Sequence, residues 1–315
     1  NGTGNANFSR PADGARGRMQ MYIFTGPDPD VDGDLDSHVV VHEATHGLSN
    51  RLHGNASGLT LNMSRGMGEG WSDFYAQSLL SQPTDPINGV YATGGYITYL
   101  ATPSYTANYY YGIRRFPMAV RSFTGGPGNL PHNPLTFADA DQTQMNLSDG
   151  AFQRGPYGSG TADAVHNLGE IWSAALWEIR ARMVQRLGWE VGNRRALQLV
   201  TDGMKLAPLA PTFLTERDAI VAAAQTGSSD AAADVQDVWA GFAIRGIGIS
   251  AKIINNGSGA GDTRVTEALD SPNLFQQPAI SINDSTGNNS GYPDPGEAIL
   301  LNIPLTNSTG HTAQN

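Results

Sequence analysis

The sequence contains no cysteine among its 315 residues. This absence excludes a disulfide framework, a cysteine-ligated zinc or iron–sulfur site and a cysteine nucleophile. It does not decide the redox compartment, because an exported protein need not carry disulfides. No apolar run approaches the roughly 18 residues that a transmembrane helix requires, so we predict no membrane span.

Basic residues are also scarce. The chain has 19 Lys plus Arg against 29 Asp plus Glu, and its formal net charge is −10. Lys205 and Lys252 are the only lysines, and the arginines are dispersed rather than clustered. Such a chain is poorly suited to the phosphate backbone of DNA or RNA, so we expect no nucleic-acid partner.

The apolar pattern predicts a mainly α (α+β) fold. Helical periodicity and end signals predict helices over 38–51, with Ser37 at the N-cap, and over 68–80, 161–187, 194–206, 215–225 and 231–244. A short apolar run predicts a strand over 19–24. Residues 81–160 are rich in Pro, Gly, Tyr and Asn, which is typical of irregular structure with short helices.

Composition changes after residue 249. Residues 250–272 are interpreted as a linker, because 254–262 is rich in Asn, Gly and Ser. The apolar run Ala298–Leu301 beyond it predicts a strand. We therefore divide the chain into a mainly helical region over 1–249, a linker over 250–272, and the start of a β-rich, sandwich-like accessory module over 273–315.

The strongest chemical signal is the HExxH motif His42-Glu43-Ala44-Thr45-His46. On a helix, positions i and i+4 lie one turn apart on the same face, so both imidazoles can bind one zinc ion. Glu43 is offset by about 100° around the helix and reaches past the metal. It is therefore the candidate general base that activates a water molecule.

A catalytic zinc site needs a third protein ligand and an open position. The metzincin pattern would require Gly and His at positions that hold Ser49 and Leu52, so it is excluded. The other class takes a glutamate from a following helix, and Glu69 supplies it. Asp73 lies one turn after Glu69, where it can accept the spare N–H of a ligand histidine and fix its tautomer.

Further polar residues lie outside these two motifs. His166 begins the long helix and, held by Asp163, can donate to an oxyanion, although simple packing accounts for it equally well. His38 precedes His42 by one turn and is expected to pack or hydrogen-bond, since a fourth ligand would close the site. Four carboxylates around Gly33 can hold calcium: Asp30, Asp32, Asp34 and Asp36. The alternative is a solvated acidic turn.

Seven ordered segments between Asn5 and Ile249 resemble the fungalysin family of zinc metallopeptidases, which are thermolysin-like gluzincins. They are Met19–Tyr22, His42–Leu52, Gly66–Phe74, Asn133–Phe137, Val165–Trp172, Pro211–Leu214 and Arg217–Ile220. The resemblance implies a thermolysin-like helical lobe with an HExxH active-site helix. It also implies a secreted metalloendopeptidase that is made as a zymogen with its own propeptide, cleaves polypeptides and holds one zinc ion per chain.

The resemblance also implies roles for individual residues. His42, His46 and Glu69 are implied as zinc ligands, Glu43 as the general base, and His166 as the donor to the oxyanion. Asp73 is implied as the residue that supports a ligand histidine from behind.

The sequence departs from the family at two points. The family carries a β-rich N-terminal lobe before the motif, whereas 41 residues precede His42 here, so we expect the C-terminal part of the catalytic unit. Thermolysin-like enzymes also place an oxyanion-contacting tyrosine between the second histidine and the glutamate. Residues 47–68 contain none, and Tyr157 is the candidate substitute, with a surface-loop role as the alternative.

Two other functions stay open. One is a non-catalytic zinc-holding surface-binding fragment. The other is a zinc aminopeptidase, although no motif marks a group that would hold the substrate amino terminus.

Overall fold

The computed structural model describes most of the chain in two compact units, 1–270 and 271–315. The described residues are 2–54, 56–99, 101, 105–144, 160–254, 263–272, 275–276, 281–283, 285–288, 295–296, 298–302 and 306–307, with backbone alone at 105–107, 275–276 and 306–307. The first unit is built mainly of helices, which confirms the predicted fold class. Of the described helices, none combines the length and hydrophobicity that a membrane crossing requires.

The helices fall where apolar periodicity predicts them, with shifts at their starts. They are α1 Ser37–Leu52, α2 Asn62–Leu80, α3 Gly95–Thr98, α4 Tyr105–Tyr111, α5 Val165–Leu187, α6 Trp189–Leu206, α7 Phe213–Thr226 and α8 Ala231–Ile244. The predicted cap at Ser37 is wrong. Asp36 caps α1 instead, because its carboxylate accepts a hydrogen bond from the His38 backbone N–H at 2.9 Å.

Helix α2 begins at Asn62 rather than near Gly68, because Ser64 accepts a hydrogen bond from the Leu61 N–H at 2.9 Å. Its glycines let α2 approach α5 closely. A Cβ added to Gly70 would lie 2.6 Å from the Gly169 carbonyl, and one added to Gly169 would lie 2.6 Å from Glu69 Cβ. Only glycine permits such an approach. The contact brings Glu69 beside the first turn of α5.

Aromatic side chains fill the core behind this contact. The Trp172 ring packs against Phe213 and Phe242, with centroids 5.0 and 5.5 Å away, and all three side chains are fully buried. Burial of each large aromatic ring contributes on the order of 2–3 kcal/mol. The core therefore holds α5, α7 and α8 together as a rigid support for the α2–α5 pair.

Arg245, directly after α8, ties an irregular segment to the helices. Its guanidinium is fully buried and pairs with Glu178 of α5 at 2.8 Å. It also donates to the carbonyls of Ala119 at 2.7 Å, Asn133 at 2.9 Å and Leu135 at 3.0 Å. Because these carbonyls would otherwise be buried without partners, the bonds fix the path of residues 116–137.

Two small antiparallel strand pairs precede α1. Strand β1, Ala6–Ser9, pairs with β2, Arg18–Met21, and β3, Ile23–Phe24, pairs with β4, Val31–Asp32. The predicted strand over 19–24 is therefore interrupted at Tyr22. The Phe8 ring packs on α1 so closely that a Cβ on Gly47 would lie 2.7 Å from it. The first strand pair thus lies against the helix that carries the HExxH motif.

The first unit extends past the predicted boundary at 249. Strand β5, Lys252–Ile253, pairs with β6, Val265–Thr266, and Val265 is fully buried. Arg264 also pairs with buried Asp141 at 2.9 Å. The described residues within 250–270, where Ala251 is buried as well, thus belong to this compact unit.

The described residues of the second unit form two antiparallel strand pairs. Strand β7, Phe275–Gln276, pairs with β10, Thr306–Asn307, and β8, Ser281–Asn283, pairs with β9, Leu300–Asn302. The predicted strand over 298–301 corresponds to β9. Ile282 and Leu301 lie opposite each other across β8 and β9, and 41% and 49% of their surfaces are exposed.

Candidate metal centre

Three predicted zinc ligands converge between α1 and α2. The Nε2 atoms of His42 and His46 are 3.1 Å apart. A Glu69 carboxylate oxygen lies 3.3 Å from His42 Nε2, and the other lies 3.7 Å from His46 Nε2. Across the described ranges, this is the only group of three or more His, Asp or Glu residues whose ligand atoms lie within 4.8 Å of one another.

The donor set fits a divalent cation. A tetrahedral zinc ion with bonds of about 2.0–2.1 Å would separate its ligand atoms by about 3.3 Å, close to the observed spacings. Asp73 Oδ1 lies 2.7 Å from His42 Nδ1, so this nitrogen donates its proton and Nε2 faces the other ligands. The buried Glu69 Oε2 lies 3.3 Å from His42 Nε2 and 3.3 Å from His166 Nε2. Lone pairs therefore meet where a cation would bind.

The electrostatics of the cluster also favour positive charge. Burial alone would lower the pKa of His42, but its hydrogen bonds with Asp73 and Glu69 raise that pKa to about 9. Burial opposes ionisation of Glu69, yet the hydrogen bond from His42 and the nearby histidines hold the pKa of Glu69 well below its usual range. Burial lowers the pKa of His46 to about 4. Without metal, one proton on His42 supplies the charge that a cation can replace.

Arg114 completes this group, although sequence reasoning did not identify it. It is 5% exposed, and its Nε and Nη2 donate to the two oxygens of Asp73 at 2.7 and 2.8 Å. Burial opposes ionisation of Asp73, but Arg114 and the hydrogen bond from His42 keep the pKa of Asp73 far below its usual range. A permanently ionised Asp73 orients His42. No motif marks Arg114, because it lies in the irregular segment.

Glu170 fixes the backbone next to Arg114. It lies on α5 one turn after His166, and its carboxylate accepts hydrogen bonds from the backbone N–H groups of Arg115 and Phe116. The Arg115 guanidinium also donates to Glu170 at 2.5 Å. Both side chains are almost completely buried. The loop that carries Arg114 and the helix that carries His166 are thereby joined.

Glu43 faces the same cavity as the ligands without joining them. It is 6% exposed, and its buried Oε2 has no hydrogen-bond partner within the described part of the chain. Burial raises the pKa of Glu43, with the charge of His42 opposing the rise. A carboxylate with a raised pKa accepts a proton more readily near neutral pH. Its position therefore suits proton transfer beside the ligand cluster.

His166 lies next to the ligand Glu69. Its Nε2 is 3.3 Å from Glu69 Oε2, and 60% of its side chain is exposed. Asp163 instead accepts a hydrogen bond from the Thr161 hydroxyl at 2.5 Å, so its carboxylate is engaged within its own loop. Tyr157 lies outside the described residues.

The acidic residues before α1 do not gather into a cluster of the kind that His42, His46 and Glu69 form, as far as the chain is described. The buried Asp36 uses one oxygen on the His38 N–H and the other on the N–H groups of Tyr96 and Ile97, both at 3.2 Å. Asp32 accepts from the Asp34 N–H at 3.3 Å. Asp30 and Asp34 are exposed. The structure thus gives Asp36 a helix-capping role.

A cavity of about 570 Å³ opens in front of the cluster. Its size is within the usual range for a ligand-binding cleft. Glu43, Glu69 and His166 all face this cavity. Apolar side chains form much of the rest of its wall; they include Phe8, Phe24, Val39, Ile97 and Ile113. The arrangement can hold an extended ligand with one polar group next to the metal ligands.

Comparisons with known proteins find similar extracellular metalloproteinases. The family model described as fungalysin metallopeptidase (M36) matches residues 1–251. The extracellular metalloproteinase MEP of Pyricularia oryzae is 36% identical over 270 residues, which cover 80% of this chain and 36% of that protein. The extracellular metalloproteinase mep of Aspergillus fumigatus is 35% identical over 269 residues, with the same coverage. The extracellular metalloproteinase of Pyrenophora tritici-repentis is 34% identical over 301 residues, 90% of this chain and 38% of that protein. The chain thus spans little more than a third of the length of the relatives it matches.

Proposed function

Because the chain belongs to the fungalysin metallopeptidase family, we propose that the protein is a secreted, zinc-dependent endopeptidase that hydrolyses peptide bonds of polypeptides. The observation that carries this proposal is the convergence of His42, His46 and Glu69, with Glu43 facing the same cavity. An HExxH helix with a distant glutamate ligand is the arrangement of zinc peptidases that use a glutamate base.

Zinc is the metal that the donor set supports best, because two imidazoles and one carboxylate leave a fourth position open. Bound zinc supplies Lewis acidity, which makes a water molecule acidic near neutral pH and polarises a carbonyl group. The calcium hypothesis gains no support, since Asp36 and Asp32 use carboxylate oxygens on backbone N–H groups.

The protein side chains then have separate roles in the reaction. Glu43 takes the proton of the attacking water and passes it to the leaving amine. His166 donates a hydrogen bond to the carbonyl oxygen as negative charge develops there. Asp73, held ionised by Arg114, keeps the His42 Nδ1 proton in place, so that Nε2 remains available to the metal.

The relatives support secretion, since their names describe extracellular metalloproteinases. We therefore propose that this protein is also exported and that a propeptide holds it inactive until it is removed. Both proposals concern the whole protein.

Two rival functions fit the site less well. A non-catalytic zinc-holding fragment would have no use for a buried carboxylate oxygen without a partner, which Glu43 presents to the cavity. An aminopeptidase would need a further carboxylate to bind the substrate amino terminus. The described acidic residues that line the cavity are Glu43 and Glu69, and both already have roles. Endopeptidase activity is therefore the better supported function.

The proposal is tested on the full-length protein with an internally quenched peptide whose two ends are blocked. We expect one zinc ion per chain, cleavage between the blocked ends, loss of cleavage with a chelator and recovery with added zinc. Glu43→Gln should still bind one zinc ion but lose about 100- to 10,000-fold in kcat, because the proton acceptor is gone. Full activity of this variant, or a protein that binds no zinc, would refute the proposal.

A further inference from the structure

His38 is a buried histidine of α1 to which the proposed mechanism gives no role. It lies one turn before His42, lines the cavity and is 7% exposed. Neither Nδ1 nor Nε2 has a hydrogen-bond partner among the described residues. Buried polar side chains nearly always have partners, so an imidazole without one in a cavity wall calls for an explanation.

The carboxylates near His38 use their oxygens in hydrogen bonds to other groups. Asp36 uses both carboxylate oxygens on backbone N–H groups, and Asp73 uses its own on His42 and Arg114. Burial lowers the pKa of His38 to about 4; Asp73 and Asp36 oppose this change, and Arg114 adds to it. A buried imidazole with no carboxylate bound to it is held neutral. Neutral His38 therefore offers one N–H donor and one acceptor nitrogen.

We propose that His38 is a substrate-binding residue that selects an uncharged carboxamide side chain, asparagine or glutamine, on the substrate. The inference rests on the proposed peptidase function and deepens it. Val39, Ile97 and Ile113 supply apolar surface to the same cavity. A site that can hydrogen-bond a substrate side chain discriminates strongly against one that leaves its buried polar group unpaired.

A carboxamide matches this pocket better than a carboxylate does. It supplies both an acceptor oxygen and donor N–H groups, whereas a carboxylate only accepts and would leave the acceptor nitrogen of His38 unpaired. A half-turn of the His38 ring about the Cβ–Cγ bond exchanges nitrogen and carbon positions within the same outline. Since no protein partner fixes the ring, it can present either nitrogen without repacking.

The test compares asparagine with leucine, which have almost the same shape. Blocked, quenched peptides carry Asn, Leu or Asp at each position around the cleaved bond, and kcat/KM is measured with the zinc-loaded, full-length protein. We expect kcat/KM for Asn to exceed that for Leu at least tenfold at one position, with Asp poorest there. His38→Leu should remove or reverse the Asn preference at that position alone, and the matched variant His38→Gln should keep it.

Each outcome separates this inference from the function on which it rests. If the wild-type protein prefers Leu or shows no preference at every position, the inference is overturned without any variant. An Asn preference that His38→Leu leaves unchanged overturns it as well. A zinc-loaded protein that cleaves none of the peptides contradicts the proposed peptidase function instead. Zinc stoichiometry and Tm establish that both variants are folded.

Discussion

Helix α1 presents two buried histidines to two carboxylates, and the two pairs behave differently. His42 Nδ1 lies 2.7 Å from Asp73 near the middle of the helix. His53 Nε2 lies 3.3 Å from Glu216 just beyond the end of the helix, where both side chains are fully buried. One pair supports the metal centre, and the other joins α1 to α7.

The difference lies in which ring nitrogen meets the carboxylate. His42 donates from Nδ1 to Asp73 and keeps Nε2 for a ligand. His53 donates from Nδ1 to the Ser49 carbonyl at 2.8 Å, so its Nε2 is the atom that faces Glu216. The His53 ring also stacks on Trp71, with centroids 4.9 Å apart. The same pair of side-chain types therefore forms either a metal-ligand support or a closed structural link.

The charge state of the carboxylate differs as well. Arg114 makes two hydrogen bonds to Asp73 and keeps it ionised. Burial instead raises the pKa of Glu216, with His53 opposing the rise. A protonated Glu216 can donate to His53 Nε2, and within the described part of the chain no arginine pairs with it. An arginine at one pair and its absence at the other thus match the two roles.

The largest expected effect comes from removing each histidine in turn. His42→Ala should abolish zinc binding and peptidase activity, because it deletes a ligand. His53→Ala should keep one zinc ion per chain and lower the free energy of unfolding by a few kcal/mol, since Glu216 and Trp71 lose their buried partner. Metal analysis and urea unfolding measure the two effects. Loss of zinc from both variants would remove the distinction between the pairs.

A smaller effect is expected from Asp73→Asn. The neutral amide no longer matches Arg114 and weakens the support of His42, so zinc affinity should fall about 10- to 100-fold. Competition with a chromogenic chelator measures the affinity. Glu216→Gln is the matched control, because it makes the same change at the structural pair and should leave zinc affinity unaltered. Equal losses in the two variants would contradict the proposed role of Asp73.

The smallest effect is a pH dependence of stability at the structural pair. Because the pKa of Glu216 is raised in the folded state, its protonated form contributes stability that is fully present below its unfolded pKa. This stability is lost as pH rises above about 4.3 and through the folded pKa. Glu216→Gln cannot ionise, so the wild-type protein should lose stability relative to this variant over that rise. Urea unfolding of both metal-free proteins measures the difference, and a constant difference would show that Glu216 titrates normally.

Local sequence patterns predict much of the helical structure and the candidate metal ligands. Helix α8 occupies Ala231–Ile244 as predicted, because its apolar pattern is bounded by clear polar and glycine signals. The convergence of His42, His46 and Glu69 follows from two short motifs on neighbouring helices. For each motif, helical periodicity alone fixes which side chains share a face.

Contacts between distant segments could not be predicted in this way. Arg114 lies 41 residues from Asp73, and no periodicity links the two positions. The predicted start of α2 is also wrong, because Gly66 and Gly68 weaken helix propensity by about 1 kcal/mol each. Tertiary packing overrides that cost, since α5 approaches closely at Gly66. Propensity and packing conflict at this point, and sequence reasoning reveals only propensity.

The buried Arg245 has a consequence for the order in which the protein matures. It donates to three carbonyls in residues 116–137, a segment synthesised more than 100 residues earlier. A nascent chain lacks these bonds until residue 245 leaves the ribosome, so the segment that follows Arg114 reaches its final packing late. Packing of this segment therefore waits until almost the whole of the first unit has been synthesised.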